Sequence, residues 1–206
     1  MKVLLVSGSP NRSGCTHTAL SVIAGVLAEE GIETEEFWIG TNVPGCTACG
    51  GCRSSGSCVI DDAVNLFREK ARSADGFVFG SPVHYASPGG NMISFMDRLL
   101  FSDSGESFRL KPACAIVSAR RAGTTAAFDV LNKYFTISEM PVISSRYWSM
   151  VHGSCPEDVL QDKEGLYTLR VLGRNMAYFL RCISAGKELG VALPAAEKPQ
   201  RTNFIR

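Results

Sequence analysis

The 206-residue chain has no apolar run of membrane-spanning length, and its first one, Val3 to Val6, is too short for the core of a secretory signal. It is therefore expected to act in the cytoplasm with no membrane partner. It also has no charge excess: 21 Lys and Arg stand against 20 Asp and Glu, for a formal net charge of +1. Apart from a mildly basic tail, Lys198 to Arg206, no block of one sign exists, so there is no electrostatic case for nucleic acid. No internal repeat, low-complexity stretch or linker-like composition divides the chain, and residues 1–206 are expected to form one domain with a sizeable core. Two phosphate-binding signatures are missing as well. No lysine follows Gly14, which removes the β/γ-phosphate grip of a P-loop, and Ser9 and Asn11 stand where a dinucleotide fingerprint needs glycine.

What is present begins with Lys2–Thr18, KVLLVSGSPNRSGCTHT. A short buried strand, Val3 to Val6, breaks into small polar residues and enters a helix near Gly14-Cys15-Thr16. Leu20, Ile23, Ala24 and Leu27 then recur at helical spacing, so one face of that helix packs on a sheet. Backbone N–H groups and the hydroxyls of Ser7, Ser9, Ser13, Thr16 and Thr18 converge at a positive helix end, a setting that favours an anion. A single terminal phosphate suits this loop better than a triphosphate or pyrophosphate; the plain alternative is a serine-rich turn that only caps the helix.

Further along, strands are expected at Thr34–Ile39, Phe77–Phe79, Ala113–Val117 and Pro141–Ser144. Helices are expected from Asp61-Asp62 to about Arg72, across Met92–Leu100, from Thr125 to Ser138 and from about Lys163 to Leu189. The helix bearing Met92, Ile93, Phe95, Met96, Leu99 and Leu100 is apolar on more than one side, which points to a homodimer or homotetramer contact. Strand–helix alternation predicts an α/β fold, a flavodoxin-like doubly wound five-stranded parallel sheet in the order 2-1-3-4-5. In that order loops 7–16, 80–90 and 118–125 meet at the switch point where ligands sit. The segment Tyr147 to Gly153 reads either as a packed loop or as a roof over that point.

The glycine-rich loop 42–58 holds Cys46, Cys49, Cys52 and Cys58 within thirteen residues. C-x2-C-x2-C spacing argues that the thiols cluster, and it suits an iron-sulfur centre; free or redox-active thiols and zinc remain as alternatives. Cys114 reads as a small core residue, and Cys15, Cys155 and Cys182 receive no metal role.

Gly8-Ser9-Pro10 with Gly14-Cys15-Thr16, Ser81-Pro82-Val83-His84-Tyr85 and Asp97-Arg98 resemble the NAD(P)H-dependent FMN reductases. The compact cysteine motif followed by Asp61-Asp62 is similar to that of the iron-sulfur flavoproteins in the same superfamily. The resemblance covers roughly residues 1–145, with Cys15 and His84-Tyr85 departing from the common pattern. It implies FMN as cofactor, with the phosphate held by Ser9, Asn11, Arg12, Ser13, Gly14, Cys15 and Thr16. The ring edge would then lie on Ser81, Pro82, Val83, His84 and Tyr85, and the other side on Ser118, Arg120, Arg121, Gly123 and Thr124. Either arginine would stabilise negative charge on reduced flavin. The resemblance further implies NAD(P)H as a transient co-substrate, a small-molecule or protein electron acceptor, and a [4Fe-4S] cluster as one occupant of the four cysteines. No catalytic side chain is required, because the flavin carries the chemistry. Three functions follow: an FMN-dependent NAD(P)H oxidoreductase acting on quinone, flavin, azo or similar acceptors; an iron-sulfur flavoprotein that carries electrons; and a flavin-free regulatory module on the same fold.

Overall fold

A computed structural model describes residues 1–103, 107–197, 200 and 202. Most of the basic tail lies outside them. Five parallel strands form the sheet: β1 (Lys2–Ser7), β2 (Glu33–Trp38), β3 (Gly76–His84), β5 (Ala113–Ala119) and β6 (Met150–His152). They stand in the order β2-β1-β3-β5-β6, and a two-residue strand, β4 (Ser87–Pro88), pairs antiparallel with the end of β3. With that hairpin set aside, the order is the expected one. β1 is buried from Val3 to Ser7, as a central strand covered on both faces must be.

Helices cover both faces. On one side α1 (Cys15–Glu29) and α7 (Lys163–Glu188) bury Leu20, Ile23, Leu27, Leu169, Leu172 and Met176 against Val3, Leu5, Val78 and Ile116. On the other side lie α3 (Ala63–Ser73), α4 (Gly90–Asp103) and α5 (Thr124–Ile137), around a phenylalanine cluster centred on Phe67. The Phe67 ring centroid lies 5.1 Å from that of Phe37 and 5.5 Å from that of Phe95. Two short helices, α2 (Cys52–Ser55) and α6 (Pro156–Val159), sit in loops.

Two sequence expectations need correction. The fifth strand is not Pro141–Ser144: that stretch makes only a single bridge, Val142 to Ala113, and the strand resumes as β6 against Val117–Ala119. The chain leaves the sheet between them because α7 takes its polar groups. Asn175 Nδ2 donates to the Ser144 carbonyl at 2.8 Å and Ser145 Oγ to the Thr168 carbonyl at 2.7 Å. The second correction concerns 80–90, which is not a loop after a three-residue strand. β3 runs on to His84 and turns through Tyr85 and Ala86, both left-handed with φ 49° and 59°, into β4. This is the geometry of a two-residue hairpin turn. On α4, Met92, Phe95, Met96 and Leu99 are buried and Leu100 packs against the same core, while Ile93 is half-buried and Phe101 is exposed. Among the described residues no helix is long and apolar enough to cross a membrane.

Candidate functional site

The carboxyl ends of β1, β3 and β5 do converge. Gly80 eases this approach: a Cβ there would press on Thr16 Cγ2 at 3.0 Å and Leu20 Cδ1 at 3.2 Å, so glycine gives the start of α1 room over the strand ends. Thr16 and Ser118, both buried, share a hydroxyl hydrogen bond of 2.8 Å that ties the first loop to the end of β5. The first loop is ordered from within. Asn11 N–H donates to Ser9 Oγ, Ser13 N–H to Asn11 Oδ1 and Gly14 N–H to the Asn11 carbonyl. Trp38 Nε1 holds it from outside by donating to the Ser9 carbonyl at 2.8 Å, and Arg12 lies over the same indole, 5.5 Å from the ring centroid.

Gly14 caps α1 without a side-chain hydrogen bond, and the first turn contains no acidic residue. The N–H groups of that turn are thus left for a ligand, at the end of the helix where the macrodipole is positive. They open on a cavity of about 490 Å³ lined by Ser9, Pro10, Asn11, Gly14, Cys15, Thr16, Pro82, Val83, His84, Ser118, Ala119, Arg120 and Gly153–Pro156. That volume falls within the range of small-molecule and cofactor sites, about 300–1,000 Å³.

A second site lies under α4. Cys46, Cys49, Cys52 and Cys58 line one small cavity of about 20 Å³ together with Arg98, Phe101 and Ser102. Arg98, its side chain fully buried, makes a two-pronged pair with Asp62, Nη1 to Oδ2 at 2.7 Å and Nη2 to Oδ1 at 2.9 Å. It also donates to the Pro44 and Ile60 carbonyls and, through Nε, to Cys58 Sγ at 3.3 Å. Burial opposes the charge on this guanidinium, but the hydrogen bonds with Asp62 and Cys58 outweigh it and hold its pKa above the ordinary value. Asp62 serves twice, since its Oδ1 also accepts from Val64 N–H and caps α3. Asn65 clamps the backbone of Cys58 from both sides, accepting from its N–H at 3.1 Å and donating to its carbonyl at 2.9 Å.

The sequence profile of NADPH-dependent FMN reductases matches residues 1–154. The chain belongs to that family. Its relatives include an iron-sulfur flavoprotein of Methanocaldococcus jannaschii, 31% identical over an alignment of 191 residues, with 89% of this chain and 99% of that one covered. Another iron-sulfur flavoprotein, from Methanosarcina thermophila, is 26% identical over 91% of this chain and all of its own length (100%). A flavodoxin from the domain Archaea superposes with a TM-score of 0.59 at 15% identity, covering 88% of this chain and 99% of that one, which supports the flavodoxin-like fold.

As a member of the FMN reductase family the chain is expected to hold FMN, and the large cavity fits it: free helix-start N–H groups beside the Ser9 and Thr16 hydroxyls suit a phosphate dianion. Of the residues singled out in the sequence, Ser9, Asn11, Gly14, Cys15, Thr16, Pro82, Val83, His84, Ser118 and Arg120 line it. Others stand apart. Arg12 and Ser13 face a separate hollow with His17, Glu36 and Trp38. Tyr85 is fully exposed at the hairpin tip. Ser81 is buried and pins the hairpin by accepting from Gly89 N–H. Gly123, with φ 90°, lies against Ala86 and Val83, where a Cβ would come within 2.9 Å of Ala86 Cα; neither it, Thr124 nor Arg121 is part of the lining. Sequence reasoning missed Ser154, Cys155 and Pro156, although a proline at the first helical position followed by Glu157 and Asp158 is a helix-start signal.

The four-thiol donor set suits an iron-sulfur cluster chemically, and the buried guanidinium would offset the negative charge of such a group. Among the described residues, no three His, Cys, Asp or Glu side chains are drawn together closely enough to hold a metal ion as they stand, so holding a cluster would require the four thiols to draw closer together. All eight cysteines are free thiols. The Gly51 N–H and the Thr47 hydroxyl draw the Cys49 pKa down, whereas burial pushes those of Cys15 and Cys114 up. In metal-free protein iodoacetamide is expected to label Cys49 before Cys15, and Cys114 last, as mapped by peptide mass spectrometry at neutral pH. Labelling of Cys114 first would refute this ordering.

Proposed function

We propose that this protein is an FMN-dependent oxidoreductase that takes hydride from NAD(P)H and passes electrons to quinone-like, azo, flavin or similar acceptors, whether small molecules or proteins. The observation that carries this reading is the uncapped start of α1, opening on a cavity of cofactor size at the strand ends. FMN, when bound, supplies the hydride and electron chemistry. The first turn of α1 and the Ser9 and Thr16 hydroxyls hold the phosphate, Pro82–His84 give the ring an edge, and Arg120 puts a cation at the cavity mouth where reduction leaves negative charge.

A second reading is favoured by the common cavity of the four cysteines and their contact with Arg98: the chain is an iron-sulfur flavoprotein, with a [4Fe-4S] cluster on Cys46, Cys49, Cys52 and Cys58. Such a cluster supplies one-electron transfer beside the flavin. The relatives from Methanocaldococcus jannaschii and Methanosarcina thermophila bear that name and align over about nine-tenths of this chain. Residues 1–206 work as a single domain in this account, and exposed Phe101 on α4 would contribute to a homodimer or homotetramer contact.

Anaerobically purified protein is expected to be yellow and to oxidise NADH or NADPH in the presence of an acceptor. With the cluster it turns brown and carries about four iron per chain. Colourless protein that fails to take up added FMN would overturn the first reading. Flavin-bearing protein devoid of iron after anaerobic preparation would overturn the second.

A further inference from the structure

Cys58 differs from its three partners in being fixed before anything binds. Asn65, from α3, clamps its backbone, and Arg98, from α4, reaches its sulfur. Cys46 and Cys49 are exposed, and Cys52 opens the four-residue helix α2. Arg98 uses every face of its guanidinium here. One edge grips Asp62, the Nη atoms reach the carbonyls of Pro44 and Ile60 at the two borders of the cysteine loop, and Nε is left for sulfur. A surface arginine would spend those donors on water. This one has no exposure, so each bond it makes sets geometry.

We propose that Arg98 is a positioning residue for the cysteine site: it presets Cys58 as the first sulfur of the centre and biases the centre toward its reduced form. The inference rests on the iron-sulfur reading above. Reduction adds negative charge to the cluster and its thiolates, and a donor fixed on one of those sulfurs stabilises the more negative state. Hydrogen bonds to ligand sulfurs are among the levers that set cluster potentials, and outer partners of metal ligands commonly govern affinity. Lysine, with one point charge, cannot span Asp62, two carbonyls and a sulfur together.

The test uses the full chain prepared anaerobically, as Arg98→Lys and as the paired variant Arg98→Met with Asp62→Asn. The pair removes both charges together and keeps a residue that caps α3, so a variant that folds is in hand even if the single change proves unstable. Iron per chain, the cluster potential from a redox titration followed by electron paramagnetic resonance, and amide hydrogen exchange over residues 44–60 are measured.

In the paired variant the cluster equilibrium is expected to move about tenfold against the reduced form, 59 mV for a one-electron couple. Arg98→Lys should move it in the same direction by less, while the flavin potential and that of an Asp97→Asn control stay put. Exchange over 44–60 should quicken at least about tenfold in iron-free protein of either variant. Wild-type potentials in both variants would overturn the proposal. If the wild type holds flavin but no iron, the iron-sulfur reading falls on its own, and the exchange measurement alone then decides whether Arg98 presets Cys58: unchanged exchange refutes it, faster exchange supports it.

Discussion

Gly14→Asp is expected to weaken FMN binding by at least about a hundredfold while leaving the flavin-free protein slightly more stable. Gly14 sits at the N-cap of α1 with φ −89° and ψ −165°, an extended conformation open to any residue. Its added Cβ would meet only the Asn11 side chain, at 3.1 Å, and that side chain can move. Aspartate is among the best N-caps, so its carboxylate would bond the free N–H groups of the first turn and contribute about 1 kcal/mol to the empty fold. The same carboxylate would then stand where the phosphate dianion belongs. Two negative charges facing one at about 5 Å repel by several kcal/mol even at an effective dielectric of about 20. Flavin fluorescence titration alongside thermal melting of the flavin-free form checks both halves. Tight FMN binding by the variant would mean that the phosphate lies elsewhere.

Asp62→Ala should have the largest effect on stability, costing about 3–5 kcal/mol, because it strands a fully buried guanidinium. A further contribution of about 1 kcal/mol comes from losing the cap of α3. Against a total stability of roughly 5–15 kcal/mol for a domain, this brings the fold near its limit. Denaturant midpoints would show it, with Asp62→Asn retaining the cap and losing less. An Asp62→Ala midpoint within experimental error of wild type would mean that Arg98 finds other partners or water.

The alternation of strands and helices was legible because each central strand is a short, almost wholly apolar run and each amphipathic helix keeps its stripe. Leu20, Ile23 and Leu27 on α1, and Leu169, Met176 and Leu180 on α7, are buried as their spacing predicts, while Ala24 and Ile183 on the same stripes are half-buried. What escaped were features made by distant residues. Nothing local in Pro141–Ser144 reveals that Asn175 and Thr168, on a helix twenty or more residues later, will draw the chain off the sheet edge. The apolar excess of α4 was visible, but its cover was not, because part of it comes from the cysteine loop forty residues upstream.

The candidate site divides in the same way. The helix-start loop could be read from composition, since small polar residues after a buried strand leave backbone donors free. Tyr85 could not be placed, because two successive left-handed residues turn it outward at the hairpin tip and no glycine or asparagine announces that turn. Likewise Asp97-Arg98 and Asp61-Asp62 were noticed as separate pieces of a pattern. Only the fold shows that Arg98 and Asp62 are one interaction with Cys58 as its third member.

Trp38 gives the molecule an optical gauge of its own. Its indole N–H holds the Ser9 carbonyl and its ring lies beneath Arg12, so a change in the first loop alters the polarity around the chromophore. The chain's other tryptophan, Trp148, is about half exposed on a different surface and contributes a background that phenylalanine at that position would remove. Emission from the remaining indole would then follow occupancy of the neighbouring cavity in real time, without label or coupled assay.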